Sequence, residues 1–280
     1  MPALTIRRFF LFLLVAGLLS VGWCYRNATA RPILREATLT LPRWPSGQPP
    51  IRLLLLSDIH VAGPDMTPAR LAGIVWQIEA ASPDIVLIAG DLISDRRLST
   101  GDYTLRQAVA PLERLSPRLG VFAVLGNHDH WRDAAEAAEA LEAVGVRLLD
   151  NEAIRAGPLA IGGLDDAFTG NDDIEATLAA MRRIGGARVV LSHSPDPFAQ
   201  LPEGTGLMLA GHTHCGQIRL PLIGAISTMS EHGERYACGR IDEKGNTLFV
   251  TAGLGTSLMP LRLGAPPDMW LVTVGPGPAT

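Results

Sequence analysis

The feature that most restricts the fold of this chain is a regular alternation of strand-like and helix-like segments in its first half. The strand-like runs are short and apolar, and the helix-like segments carry apolar residues at helical spacing. Thr67-Pro68 also forms a typical N-cap and first-turn pair for one of these helices. A β-α-β-α-β-α order predicts a parallel and mostly buried sheet. In chain order, the segments are residues 51–56, 67–78, 84–89, 105–115, 121–125 and 133–144.

The second half changes character, because turn residues such as Gly245-Asn246 separate its short strand candidates. A second sheet packed on the first is the simplest account of these strands. The predicted fold is therefore an α/β, four-layer αββα sandwich of two mixed sheets, preceded by an N-terminal hydrophobic segment. The strand candidates are residues 159–161, 188–191, 206–209, 235–241, 247–251 and 270–274.

An uncharged apolar run, residues 9–25, follows Arg7-Arg8 near the N-terminus. The run is short for a membrane span and long for the core of a signal peptide. Arg7-Arg8 resembles part of a twin-arginine export signal, and residues 28–30 have the A-x-A form of a cleavage site. Residues 1–30 are therefore expected to be a signal peptide or a membrane anchor of an inner-membrane-associated or exported protein. Arginines also follow the run, so its orientation stays open.

Composition sets the remaining boundaries. Residues 31–50 are rich in proline, which is typical of a linker or of an edge strand followed by an extended stretch. The main domain is expected to span residues 51–280.

The three cysteines make neither a disulfide framework nor a CxxC pair. The sequence does not favour a disulfide between Cys215 and Cys238, which is an option only for an exported domain.

Polar side chains gather where the apolar strands end. A single Asp after a strand is usually a helix cap, and a single buried His is usually just hydrogen-bonded. Of the seven histidines, however, only His232 stands away from these strand-end clusters. We expect the clusters to lie on loops at one edge of the sheet, where open α/β sheets bind ligands. They are Ser57-Asp58-Ile59-His60, Gly90-Asp91, Gly126-Asn127-His128-Asp129, Ser192-His193 and Gly211-His212-Thr213-His214.

These clusters supply a mixed nitrogen and oxygen ligand set that contains no thiolate. Such a set suits borderline divalent ions (Zn, Mn, Fe or Co) more than it suits Ca. It exceeds what one tetrahedral ion needs, whereas two ions bridged by a shared carboxylate would use all of it. Two-metal sites of this kind catalyse in-line displacement at phosphorus. The candidate ligands are Asp58, His60, Asp91, Asn127, His193, His212 and His214.

The ordered motifs D-x-H, G-D, G-N-H-D, a single H and G-H-x-H resemble the calcineurin-like metallophosphoesterase superfamily over residues 54–214. The run GLGTS, residues 253–257, suits a bacterial branch that carries an N-terminal membrane or export segment. The resemblance implies that Asp91 bridges two ions. It assigns one ion to Asp58, His60, Asp91 and His214, and the other to Asp91, Asn127, His193 and His212.

The resemblance also implies that His128 is not a ligand but contacts the phosphate and protonates the leaving oxygen, with Asp129 orienting its ring. An imidazole suits this task because its ordinary pKa lies near neutrality.

His130 and Arg262 are candidate substrate contacts. The plainer alternatives are a packing or surface role for His130 and a solvated side chain for Arg262. A turn is the expected role of Asp165-Asp166.

The predicted function is metal-dependent hydrolysis of phosphodiester or pyrophosphate bonds. An anchor would keep the site near a bilayer, which makes lipid-linked substrates attractive. Enzymes of similar motif pattern include those that hydrolyse UDP-diacylglucosamine in lipid A synthesis, although a fold does not settle a substrate. The alternative is a non-catalytic metal-binding scaffold, which would not require His128. A formal charge of −4 offers no basic face for nucleic acid, so no nucleic-acid partner is expected.

Overall fold

Two six-stranded mixed sheets form the body of the protein in the computed structural model, which describes residues 2–95 and 99–277. The first sheet has the strand order β1-β14-β2-β3-β4-β5, and the second has the order β12-β13-β9-β8-β7-β6. A short hairpin, β10-β11, stands apart from both sheets. The strands are β1 (Ile33–Thr40), β2 (Ile51–Leu56), β3 (Ile85–Ala89), β4 (Val121–Val124), β5 (Arg147–Leu148), β6 (Glu152–Ala156), β7 (Leu159–Gly163), β8 (Ala187–Leu191), β9 (Leu207–Ala210), β10 (Arg219–Leu220), β11 (Gly224–Ala225), β12 (Gly239–Glu243), β13 (Asn246–Val250) and β14 (Asp268–Gly275).

Helices cover the outer face of each sheet, which confirms the predicted αββα sandwich. In the described chain, α2, α3 and α4 pack on the first sheet, and α5 packs on the second. Strands β2 to β5 run parallel, as do β7, β8, β9 and β13. The helices are α1 (Pro2–Ala28), α2 (Pro68–Ala80), α3 (Leu105–Val109), α4 (Asn127–Ala143) and α5 (Ile174–Ile184).

Strand β2 shows how both faces of the first sheet are buried. Leu53 and Leu55 pack between the two sheets, whereas Leu54 and Leu56 pack against the helices. Because side chains alternate along a strand, a strand that is buried on both faces reads as an unbroken apolar run. The parallel arrangement then brings the carboxyl ends of β2, β3 and β4 to one edge.

Three predicted segments differ from the structure. The helix predicted over residues 105–115 divides into α3 and a 3₁₀ helix (Ala110–Arg114), since Pro111 lacks the N–H that a continuing α-helix needs. The prediction of a strand over residues 235–241 is wrong for its first two residues, which belong to a 3₁₀ helix (Gly233–Tyr236). Strand β12 begins only at Gly239, whose φ of 82° suits glycine. The third difference concerns the GNHDHW run.

That run was expected on a loop, but α4 already begins at Asn127. Gly126 is the extended N-cap residue, and its N–H donates to the Asp129 carboxylate at 3.0 Å. A carboxylate in the first turn stabilises a helix start. The helix is interrupted at Asp133, whose φ and ψ are −176° and 102°, so the residues predicted to begin this helix lie after a kink.

The N-terminal helix α1 contains a stretch, Ile6–Ala28, that is long and apolar enough to cross a membrane. Its last turn contacts the main body, because the Arg262 N–H donates to the Cys24 carbonyl at 3.0 Å. Strand β1 follows, within the proline-rich segment, and pairs in parallel with β14 along the edge of the first sheet. A disulfide joins Cys215 to Cys238, a pairing that the sequence did not favour, and Cys24 is free.

The inter-sheet core predicts a clear stability difference. Replacing Leu55 with Ala should lower the free energy of unfolding by about 2–5 kcal/mol, because a fully buried leucine leaves a cavity. Glu139→Ala, at an exposed position on α4, should change it by less than about 0.5 kcal/mol. Urea unfolding of both variants in one detergent measures the difference, and equal losses would contradict the assignment of Leu55 to the core.

Candidate metal centre

The predicted ligands converge where strand ends from both sheets meet. Strands β2, β3 and β4 of the first sheet and β8 and β9 of the second each end directly before one of the clusters. The structure brings all seven predicted ligands together, and all seven are buried. Five of them have a left-handed backbone, which non-glycine residues rarely adopt and which concentrates at functional sites. They are Asp58, His60, Asp91, His212 and His214.

Glycines make this crowding possible. A Cβ on Gly126 would lie 2.8 Å from the His193 ring, and one on Gly211 would lie 2.5 Å from the Asp58 carboxylate. Real Cβ atoms do not approach other atoms this closely. Glycine at these two motif positions therefore lets the strand ends come close enough for their polar side chains to meet.

One half of the site is formed by His60, His214 and the two aspartates. The Nε2 atoms of His60 and His214 lie 3.1 Å apart. Asp58 Oδ1 is 3.4 Å from His214 Nε2, and Asp91 Oδ2 is 3.3 Å from His60 Nε2. Burial holds the pKa of both histidines well below the ordinary value, so they are neutral at physiological pH. Neutral imidazole is the form that binds metals.

The other half is formed by His193, His212 and Asn127. His193 Nε2 lies 3.1 Å from Asn127 Oδ1 and 3.0 Å from His212 Nδ1. The remaining ring nitrogens donate to backbone carbonyls, His193 Nδ1 to Ala89 at 2.7 Å and His212 Nε2 to Met229 at 3.0 Å. Because a carbonyl only accepts, these bonds place one proton of each ring away from the centre. His212 Nδ1, and His193 Nε2 once that ring is neutral, can then direct lone pairs at a cation.

Asp91 belongs to both halves. Its Oδ2 lies 3.3 Å from His60 Nε2 and also 3.3 Å from His193 Nε2. Burial opposes charge on both Asp91 and His193, but their mutual attraction outweighs it. The pKa of Asp91 falls well below its ordinary value, and that of His193 rises to about 10. Without a metal, a proton is therefore held between them, at the place where a cation would replace it.

The donor set fits divalent cations. Acceptor atoms from imidazoles, carboxylates and an amide face one another at 3.0–3.4 Å. Three groups of side chains in the described ranges have ligand atoms within 4.8 Å of one another. Converging buried acceptors repel one another unless a cation or a proton lies between them. The groups are Asp58-His60-His214, His60-Asp91-His128 and Asp58-Asp91-His193.

His128 lies beside the ligands, but Asp129 does not orient its ring as predicted. The His128 backbone N–H donates to Asp91 Oδ1 at 3.0 Å, and its Nδ1 lies 2.5 Å from the Asp95 carboxylate. Neighbouring residues of a helical turn point in different directions, so Asp129 cannot reach the ring of the residue before it. Asp95 takes the position that was predicted for Asp129, and no sequence pattern singled it out.

Asp129 instead fixes the backbone around the site. Its carboxylate accepts from the N–H groups of Asp91, Leu92 and Gly126 at 2.8, 2.9 and 3.0 Å. Burial and the charge of Asp91 raise the pKa of Asp129 to about 6, against the opposing effect of these hydrogen bonds. The residue thus ties the end of β3 to the start of α4.

The two candidate substrate residues also have partners. The Nε2 of His130 lies 2.7 Å from Asp165 Oδ1, while Asp166 caps the turn at Phe168 and Thr169 as expected. Arg262 is neither solvated nor exposed to a substrate, because it is completely buried. Its guanidinium donates to backbone carbonyls and lies 3.3 Å from His214 Nδ1. Those carbonyls belong to Ala252, Gly253, Gly255 and Ala265.

A cavity above the ligands has mostly apolar walls, which the sequence analysis did not identify. Its floor includes Asp91, Asn127, His128, His212 and His214. The ring of Trp131 lies 4.9 Å from the His128 ring, centroid to centroid. Scattered apolar residues carry no motif, so only the fold reveals them as a wall. The apolar wall residues are Trp131, Ile218, Ile226, Met229, Leu258 and Met259.

Comparisons with known proteins find relatives among the metallophosphoesterases. The family model for the calcineurin-like phosphoesterase domain matches residues 51–216. Metallophosphoesterase YkuE of Bacillus subtilis is 30% identical over 93% of this chain and 93% of its own length. A metallophosphoesterase of Aquifex aeolicus is 28% identical over 86% of this chain and 91% of its own. A Danio rerio transmembrane protein with a metallophosphoesterase domain is 30% identical over 92% of this chain, which spans 61% of that relative.

The burial of Arg262 predicts a stability defect rather than a binding defect. Arg262→Lys should lower the free energy of unfolding by about 3 kcal/mol or more, because one ammonium cannot satisfy all the carbonyls that the guanidinium holds. Arg240→Lys, at an exposed ion pair, should cost less than about 1 kcal/mol. Chemical denaturation measures both. If Arg262→Lys raised KM at unchanged stability, Arg262 would be a substrate residue after all.

Proposed function

The chain belongs to the calcineurin-like phosphoesterase family, and from that premise we propose that it hydrolyses phosphodiester or pyrophosphate bonds with two divalent ions. The observation that supports this most strongly is the position of Asp91. One of its carboxylate oxygens is equidistant from imidazoles that belong to the two halves of the ligand set. A shared carboxylate is how two-metal sites hold their ions about 3.5–4 Å apart.

In this proposal Asp58, His60, Asp91 and His214 hold one ion, and Asp91 with Asn127, His193 and His212 holds the other. Bound there, the ions (Mn, Fe, Zn or Co) would offset the negative charge of the phosphoester and lower the pKa of water toward neutrality. Asn127 contributes a neutral oxygen, so the ligands do not cancel all of the positive charge. Arg262 supports the His214 ring from behind.

His128 supplies the proton for the leaving oxygen. Its contact with Asp95 holds one ring nitrogen, while its backbone bond to Asp91 places the residue beside the ligands. The ring is only slightly exposed to solvent, at the floor of the cavity. General acid catalysis of this kind is typically worth about 10²–10⁴-fold.

A lipid-linked phosphodiester or pyrophosphate is the substrate class that we propose, with UDP-diacylglucosamine as a specific candidate. Three observations support it: α1 has the length and apolarity of a membrane span, the cavity walls are largely apolar, and one relative is named as a transmembrane protein. We take α1 to be a retained anchor, since its last turn packs on the main domain.

The alternative, a metal-binding scaffold without catalysis, does not account for His128. A scaffold needs the ligands but no imidazole beside them with a carboxylate of its own. The Asp95–His128 pair therefore favours the enzyme.

Metal content tests the two-ion assignment. The full chain, stripped with EDTA and reconstituted with excess Mn, should carry about two ions per chain, and stripping should abolish phosphodiester hydrolysis. Asp91→Asn should lower the metal content, because it weakens the ligand common to both ions. Elemental analysis that found one ion or none in the reconstituted chain would exclude the two-ion site.

The role of His128 is tested by leaving groups. His128→Ala should retain both metals and lose about 10²–10⁴-fold in turnover of alkyl phosphodiesters, with a smaller loss for p-nitrophenyl esters, whose leaving group needs little protonation. Asp95→Asn keeps the imidazole and should show a smaller loss of the same pattern. Because His128 also lies within ligand distance of His60 and Asp91, loss of a metal from His128→Ala would identify it as a ligand instead.

A further inference from the structure

Large apolar side chains are exposed on one side of the catalytic cavity. Leu222 and Ile223 form the tip of the β10-β11 hairpin, and Ile226 follows that hairpin. Leu258 and Met259 lie on the loop after GLGTS. Ile226, Leu258 and Met259 also line the cavity itself. Contiguous exposed apolar surface of this kind marks an interaction site. We call these five residues the apolar rim.

The two parts of the rim form one backbone-bonded unit. The Arg219 N–H donates to the Leu263 carbonyl at 2.7 Å, and the Leu263 N–H donates to the Gln217 carbonyl at 3.0 Å. The Gln217 side chain donates to the Met259 carbonyl at 3.1 Å and accepts from the Ser257 N–H at 3.0 Å. The hairpin and the loop are therefore held side by side.

The same unit is bonded to the end of α1. The Arg262 N–H donates to the Cys24 carbonyl at 3.0 Å, and the Asn27 side chain donates to the Arg262 carbonyl at 3.4 Å. Around this junction α1 carries Trp23, Tyr25 and Arg26. Trp, Tyr and Arg are the side chains that concentrate at the membrane–water interface at the ends of membrane spans. These side chains of α1 indicate that the lipid headgroups lie at the level of the junction between α1 and the rim unit.

We propose that the apolar rim inserts into the headgroup–acyl boundary of the bilayer that α1 crosses. This inference rests on the membrane span proposed above, and it adds that the main domain docks on the lipid surface. The rim exposes aliphatic side chains without lysine or arginine among them, which suits burial in the acyl boundary rather than electrostatic contact alone. The cavity wall is then continuous with the bilayer, so a phosphoester linked to lipid reaches His128 while its acyl chains stay in an apolar surrounding.

Depth-dependent quenching tests the insertion. In a Cys24→Ser background of the full chain, Leu222→Cys is labelled with the fluorophore NBD and reconstituted into phosphatidylcholine vesicles with and without doxyl-labelled phosphatidylcholine. The matched control is Lys244→Cys, at the exposed β12-β13 turn, which lies at the opposite end of β13 from the site. We expect at least a twofold fluorescence loss at position 222 and none at position 244. Adding Ile223→Asp should remove the loss at position 222, because a carboxylate resists burial in lipid.

Flotation of the same vesicles distinguishes a failure of the α1 membrane anchor from a failure of rim insertion. If the chains float with the vesicles but the label at position 222 is quenched no more than the label at position 244, rim insertion is overturned and the anchor stands. Chains that do not float would overturn the anchor and the rim proposal together. Energy transfer between labels on different chains, without lipid quenching, would assign the rim to contact with a second copy and so overturn the proposal.

Discussion

The carboxylate of Asp91 is the contact on which the rest of the site depends. Asp91 follows β3 of the first sheet, and its carboxylate contacts His193, which follows β8 of the second sheet. The two sheets pack through a continuous apolar interior, so their strand ends are held at fixed positions. The close approach of so many acceptors is tolerable because the core holds the strands and because protons or cations neutralise the centre.

The fold was largely predictable from sequence because the central strands of both sheets are parallel and buried on two faces. Such strands read as short apolar runs, and the run of residues 51–56 coincides with β2. The misplaced segments are those in which local chemistry overrides periodicity. Pro111 ends an α-helix that the pattern continued, and a carboxylate cap starts α4 six residues before the apolar spacing begins. Strand β1 is the edge strand that was one of the two alternatives for the proline-rich segment, whereas helix α5 was not predicted although its buried residues recur at helical spacing.

The grouping of the candidate ligands could be predicted because each motif follows a strand, and the topology alone brings those strand ends together. Roles that depend on side-chain direction could not. His128 and Asp129 are adjacent in sequence, yet the helical turn directs one toward Asp95 and the other toward backbone N–H groups. Arg262 looked like a phosphate ligand because arginines often are. Its burial among carbonyls appears only when the loop after β13 is folded. That arginine also connects the His214 ring to the end of α1, so the site and the membrane segment share one support.

The central claim is that one carboxylate holds two ions between the sheets. An anomalous difference map from crystals of the full chain grown with Mn, collected near the Mn edge, tests it most directly. The account predicts two peaks about 3.5–4 Å apart, one on each side of Asp91 Oδ2, with His60 and His214 at one and His193 and His212 at the other. A single peak, or two peaks of which only one contacts Asp91, would contradict it.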